Sequence, residues 1–211
     1  MRHQRLTRKL ASRHAGCLGL EGLRRLTRLG ESFGQHGLFS AARAARSRGT
    51  CRRSTALAAE HNVRAVLHPH VGTMVETGPE VQRVLEGSSI ALCLDTGHFS
   101  YYYGDNVRLV REFKERIGYL HLKQVEPDLL ADVLKNEISF VEAVERGVMV
   151  EPPYGVPEYG DILIEANKYI PGIFAIIEQD MYPLKDFSEP KQIAIRTKAY
   201  IEKLGVPVQF N

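Results

Sequence analysis

The sequence predicts an α/β protein built on a parallel, barrel-type sheet. Three observations predict it. From about residue 56 onward, helix-like stretches alternate with short apolar strands. Each strand closes on a metal-capable side chain: His68, Asp95, His121 and Glu178. These residues are 27, 26 and 57 positions apart, and each of the first two gaps matches one strand–helix repeat.

The elements follow in order. A helical stretch at 56–62 leads into an apolar strand at 63–67, which ends at His68. A second helix at 79–87 precedes the strand 90–94 and Asp95. A third at 106–116 precedes the strand 117–120 and His121. The long gap holds a helical insertion at 129–147 and a Pro/Gly-rich loop at 151–160. The last repeat pairs a helix at 161–170 with the strand 173–177 and Glu178. A closing helix at 189–204 ends before Gly205, a residue suited to the left-handed turn past a helix terminus. Alternating strands and helices imply right-handed crossovers and a parallel sheet, and continuous apolar strands imply burial on both faces.

Charge divides the chain. Residues 1–54 hold 13 Lys/Arg against 2 Asp/Glu, whereas residues 55–211 hold 15 against 23. The first segment reads as a basic, Arg-rich, weakly ordered stretch. The spacing of Leu18, Leu20, Leu23 and Leu26 is compatible with a short helical face, and that of the alanines at 41–45 with another. Its aromatics are not interleaved among the arginines in the way stacking platforms require, which disfavours a nucleic-acid arm. The acidic main body suits a neutral polar substrate held through a cation and opposes phosphate binding. No apolar run reaches the length of a membrane span. The three cysteines, Cys17, Cys51 and Cys93, show no paired spacing and fit a reducing cytoplasm.

A lone Asp or His at a strand end is ordinarily a cap or a solvated loop residue. Four in succession differ, because a parallel barrel brings all its strand C-termini to one face. Mixed imidazole and carboxylate donors suit one divalent ion. Mn²⁺ or Co²⁺ is the first expectation, and Mg²⁺, Fe²⁺ and Zn²⁺ also fit. Lys123 lies two positions beyond His121, on the same side of the strand. His70 and Glu76 follow the first strand, His98 follows Asp95, and Asp180 follows Glu178. A base, an acid and a cationic lysine beside a metal can remove a proton next to a carbonyl and stabilise the enolate.

Three motifs in order, Leu94-Asp95-Thr96-Gly97-His98, Leu120-His121-Leu122-Lys123 and Ile177-Glu178-Gln179-Asp180, resemble the xylose isomerase-like TIM-barrel superfamily of sugar phosphate isomerases and epimerases. The stretch His68-Pro69-His70-Val71-Gly72-Thr73, with Glu76, resembles its inosose dehydratase branch. The resemblance covers about residues 56–211. It implies a (β/α)₈ barrel with one divalent metal and a small polyol or ketose substrate. Asp95, His121 and Glu178 match metal ligands, and His68 takes a place where many relatives have a glutamate. His70 matches a general base, and Lys123 a lysine that polarises the carbonyl or steadies the enolate. Glu76 joins them as a catalytic residue, with His98 and Asp180 on the substrate. Gln124 stands where relatives often have an aspartate.

By position, the four strands correspond to strands 5–8, so residues 55–211 read as the C-terminal half of the barrel. A half-barrel has two open sheet edges and an uncovered apolar face. Such a chain is expected to pair with a second copy or a partner chain, or to be a truncated remnant that keeps ligands without catalysis.

Overall fold

A computed structural model describes residues 41–184 and 186–210. The basic stretch at 1–40, including the helical face expected at Leu18, Leu20, Leu23 and Leu26, lies outside the described residues. In chain order the elements are α1 (Ala41–Glu60), β1 (Val66–Leu67), α2 (Gly78–Gly87), β2 (Ala91–Asp95), α3 (Thr96–Tyr101) and α4 (Asn106–Phe113). A 3₁₀ turn at Lys114–Arg116 leads into β3 (Ile117–Leu122). There follow β4 (Gln124–Val125), α5 (Pro127–Lys135), α6 (Phe140–Glu145), β5 (Met149–Val150), α7 (Tyr159–Tyr169), β6 (Ala175–Ile177) and α8 (Ser188–Lys203).

The four predicted strands form one parallel sheet in the order β1–β2–β3–β6. Its outer face packs Leu92, Leu94, Leu120 and Leu122 against the helices, including Val81 and Val84 of α2, Val110 of α4 and Ile162 of α7. The sheet is the fold expected from the sequence: part of a parallel α/β barrel with helices on its outer face.

A one-residue irregularity sets the register. Leu92 pairs with Ile117, but Cys93 pairs with Tyr119, so Gly118 is the extra residue on β3. Beyond it Asp95 lies opposite His121. Without the offset, Asp95 would oppose Leu120 and the two polar side chains would face opposite sides of the sheet. Glycine suits the position, because a Cβ on Gly118 would lie 2.7 Å from Val66 Cγ1.

The structure departs from the sequence reading in several places. Helix α1 runs through the boundary placed at 54/55, and its Cys51 belongs to the main core, so residues 41–54 are helical. Strand β1 begins at Val66 instead of residue 63, with Val63 60% exposed. Of the four predicted strands, β2 alone is buried along its whole length. Phe174, just before β6, is 61% exposed and Ile176 is 39% exposed, because their side chains lie on the sheet face opposite the helix-packed Leu120 and Leu122. The helical insertion divides into α5 and α6, and β4 and β5 form an antiparallel pair that the sequence did not suggest. These elements enclose a second small core of Val71, Tyr101, Val125, Leu130, Val133, Ala143, Val148 and Met149. The closing helix ends as expected, with Gly205 at φ 69°.

Candidate metal centre

The motif at 94–98 builds one wall of the site, and each residue has a physical task. Asp95 ends β2 and caps α3: its Oδ1 accepts from His98 N at 2.8 Å, which leaves Oδ2 facing the strand ends. Thr96 clamps the neighbouring strand end. Its Oγ1 donates to Lys123 O at 2.7 Å and accepts from Lys123 N at 2.9 Å. Gly97 leaves room for the lysine, since a Cβ there would lie 2.7 Å from Lys123 Cγ. His98 is buried, with Nε2 3.1 Å from Lys123 Nζ.

Around Asp95 Oδ2 the charged groups converge. His68 Nε2 is 3.4 Å away, His121 Nδ1 3.5 Å and Lys123 Nζ 3.2 Å. His121 Nδ1 is also in close contact with Glu178 Oε2. Lys123, wholly buried, reaches Asp180 Oδ2 at 2.9 Å and Glu178 Oε1 at 3.4 Å. Asp180 Oδ2 lies 3.7 Å from His98 Nε2.

The ionisation states follow from these neighbours. Burial would raise the Asp95 carboxyl, but the imidazoles of His121 and His68 overcome it and hold the group well below the usual carboxylate range. Burial acts to lower His121, and contacts with Asp95, Cys93 and Glu178 outweigh it, leaving the imidazole raised to about 11. Burial likewise acts to lower Lys123, and Asp95, Asp180 and Glu178 keep it raised. Burial drives His98 well below the ordinary imidazole value, so it is neutral. His70 is also lowered by burial. Its Nδ1 lies 2.8 Å from Val71 O, so Nδ1 carries the hydrogen and Nε2 keeps its lone pair.

The donor set fits a cation. Among the buried side-chain atoms without a hydrogen-bond partner are His68 Nε2, Asp95 Oδ2, His121 Nδ1 and Glu178 Oε2, one from each strand end, with His98 Nδ1 beside them. Buried polar atoms ordinarily have partners. A divalent ion would satisfy Asp95, His121 and Glu178 together, with His68 adjoining through Asp95. Donor atoms of Asp95, His121 and Glu178 lie within 4.8 Å of one another, and His68 shares a similar set with Asp95 and His98.

The structure therefore gathers His68, Asp95, His121 and Glu178 with Lys123, His98 and Asp180. The His70 ring stacks on His98 with centroids 3.7 Å apart. Glu76 is the departure from the expected arrangement. Its carboxylate accepts from Gly72 N at 2.6 Å and from Tyr102 OH at 3.5 Å, contacts that close the loop carrying His70. Gln124 holds the neighbouring loop, donating to Pro157 O and accepting from Gly155 N. Sequence reasoning missed Thr96, Gly97 and Phe140. Phe140, at the start of α6, packs its ring on His70 and His98 with centroids 5.4 and 5.5 Å away. The Thr and Gly are visible in the motif itself, but Phe140 carries no local signal.

At the opposite end of the sheet, a surface hollow lined by Arg52, Ser88 and Arg116 offers little to an anion. Arg116 already donates to Leu85 O, Ser88 O and Ile90 O.

Fold and donors together define a class: parallel α/β barrel proteins whose polar site lies at the strand C-termini. The chain belongs to the xylose isomerase-like TIM barrel family, whose model matches residues 23–203, well upstream of the residue 56 suggested by the motifs. It is 29% identical over 154 residues to an inosose dehydratase of Histophilus somni, covering 71% of this chain and 51% of that one. It is 30% identical over 155 residues to an inosose dehydratase of Bacillus thuringiensis, with the same coverage. The chain thus spans about half the length of the curated relatives it matches. Among solved structures, the IolI protein with a bound zinc atom superposes with a TM-score of 0.58 at 16% identity, covering 75% of this chain and 55% of that one. AsbF of Bacillus anthracis, a probable 3-DHS dehydratase, gives 0.54 at 21% identity, with the same coverage. At these identities the structural matches speak for the fold alone.

Proposed function

We propose that this chain carries the C-terminal half of an active site that removes a proton next to the carbonyl of a polyol ketone, in the manner of an inosose dehydratase. The observation that carries the reading is the convergence of four buried donor atoms without hydrogen-bond partners, one per strand end, beside a fully buried lysine. His68, Asp95, His121 and Glu178 would hold a divalent ion, with Mn²⁺ or Co²⁺ first and Zn²⁺, Fe²⁺ or Mg²⁺ compatible with the donors. When bound, such an ion supplies Lewis-acid polarisation of the substrate's carbonyl and adjacent hydroxyl.

The chain's own residues supply the rest. His70 presents Nε2 as the base, its tautomer held by the Val71 carbonyl. The α-proton passes to that nitrogen, and the C–H electron pair becomes the C=C bond of the enolate. Lys123, pinned by Asp180 and Asp95, faces the developing negative charge. In dehydration the β-hydroxyl leaves with a proton as water. In isomerisation or epimerisation the same enolate is reprotonated instead. His98, neutral and stacked on His70, orients a substrate oxygen together with Asp180. Glu76 positions the His70 loop instead of touching substrate.

The exposed Phe174 and Ile176 support a companion proposal: a second copy or a partner chain covers the inner face of the sheet. They also favour the competing reading, a remnant that binds metal without catalysis. Deuterium exchange at the α-carbon of an inosose in D₂O, followed by NMR with Mn²⁺ present, separates the two. Exchange that vanishes in His70→Ala supports the enzyme. Metal-loaded protein that catalyses no exchange favours the remnant.

A further inference from the structure

A second donor set lies beside the first. Cys93 sits on β2 two residues before Asp95, on the same face of the strand, and is fully buried. One donor atom each from His68, Cys93 and His121 lies within 4.8 Å of the others. The two sets differ in chemistry. The carboxylate centre of His68, Asp95, His121 and Glu178 offers two oxygens and two nitrogens, whereas His68, Cys93 and His121 offer two nitrogens and a sulfur. Oxygen-rich sets suit hard ions, and thiolate-containing sets suit soft ones. Small side-chain rotations would bring the second set to the separation of about 3.5 Å required by coordination bonds of about 2.0–2.3 Å.

We propose that His68, Cys93 and His121 form an alternative thiophilic metal site, one layer deeper than the carboxylate centre. Both centres need His68 and His121, so a zinc- or cadmium-class ion held by Cys93 withdraws those imidazoles from the outer position and excludes a manganese-class ion. The thiol proton is released to solvent as the sulfur binds. The site decides which metal the chain retains. It rests on the same side chains as the proposed catalytic centre, but not on the proposed reaction.

Cobalt reports sulfur ligation directly. Metal-stripped full-length chain titrated with Co²⁺ should develop a sulfur-to-cobalt charge-transfer band in the near ultraviolet that saturates at one equivalent. The band should persist in the double variant C17S/C51S, which keeps Cys93 as its only cysteine, and disappear in C93S. Cd²⁺ affinity, measured by calorimetry, should fall by about tenfold or more in C93S, while Mn²⁺ binding followed by electron paramagnetic resonance stays within error. Excess Zn²⁺ should displace Mn²⁺ from the parent chain more readily than from C93S. Absence of the band in both the parent and C17S/C51S would overturn the proposal whether or not C93S folds, and so would unchanged Cd²⁺ affinity in a folded C93S. Intact Mn²⁺ binding without the band removes this inference alone. Loss of Mn²⁺ binding from every form removes the proposed catalytic centre as well.

Discussion

The two central strands and the two edge strands contribute to one site on unequal terms. At the ends of β2 and β3, the side chains of Asp95 and Lys123 are wholly buried, and Thr96 stitches the two strands together. At the ends of β1 and β6, the side chains of His68, Glu178 and Asp180 stay 24%, 33% and 26% exposed. A central strand has a neighbour on both sides and a helix layer behind it, so its terminal side chains have few alternatives. An edge strand has one neighbour and half the constraint. Preorganisation here lives in the centre, and the edges supply ligands able to adjust.

The largest effect tests the centre. Asp95→Asn should lower Mn²⁺ affinity by at least about 100-fold and cost the metal-free protein about 3 kcal/mol, because Lys123 loses a buried partner. Titration calorimetry and urea unfolding read the two quantities. Glu178→Gln, at the edge, should lower affinity only about tenfold and leave stability within about 1 kcal/mol. Equal losses for the two variants would erase the distinction between centre and edge.

Gly97→Ala sharpens it further. The added methyl meets the Lys123 stem, so destabilisation of about 1–3 kcal/mol is expected from overpacking alone, seen as a lower unfolding midpoint with an unchanged m-value.

The proton on His121 gives a pH dependence with a definite sign. Its value in the metal-free fold is raised to about 11, so a cation must displace a proton from it at neutral pH. Mn²⁺ affinity should therefore strengthen with rising pH, by about tenfold per unit for one proton released. Calorimetry in buffers of different ionisation enthalpy counts that proton. Metal-free stability runs the other way. The raised imidazole contributes fully below its ordinary value near 6.5, and its contribution is lost as pH climbs through about 11.

The smallest effect falls on the open face. Phe174→Ser with Ile176→Ser should change stability by about 0.5 kcal/mol or less per site, while reducing self-association in light scattering. A large stability loss would mean that these side chains are already covered within the single chain.

Much of this organisation is legible in the residues. The four strand ends are readable because each apolar run stops at a polar residue, and the parallel order follows from the alternation of strands and helices. Thr96 and Gly97 sit in plain view within the motif, but their tasks depend on Lys123, 26 or more positions away. Phe140 and the β4–β5 pair escape sequence reasoning altogether, because a two-residue strand has no periodicity and an aromatic at a helix start looks like any core residue.

By itself the sequence determined the order of the four strand–helix repeats, the parallel sheet and the identity of the strand-end donors, because hydrophobic periodicity and local punctuation are properties of neighbouring residues. Only the tertiary structure decided that Gly118 offsets β3 by one residue and so turns His121 to the same side as Asp95. Only it placed Cys93 within reach of two of the same imidazoles. Strand register and convergence depend on packing between segments distant in the chain, and no local pattern encodes them.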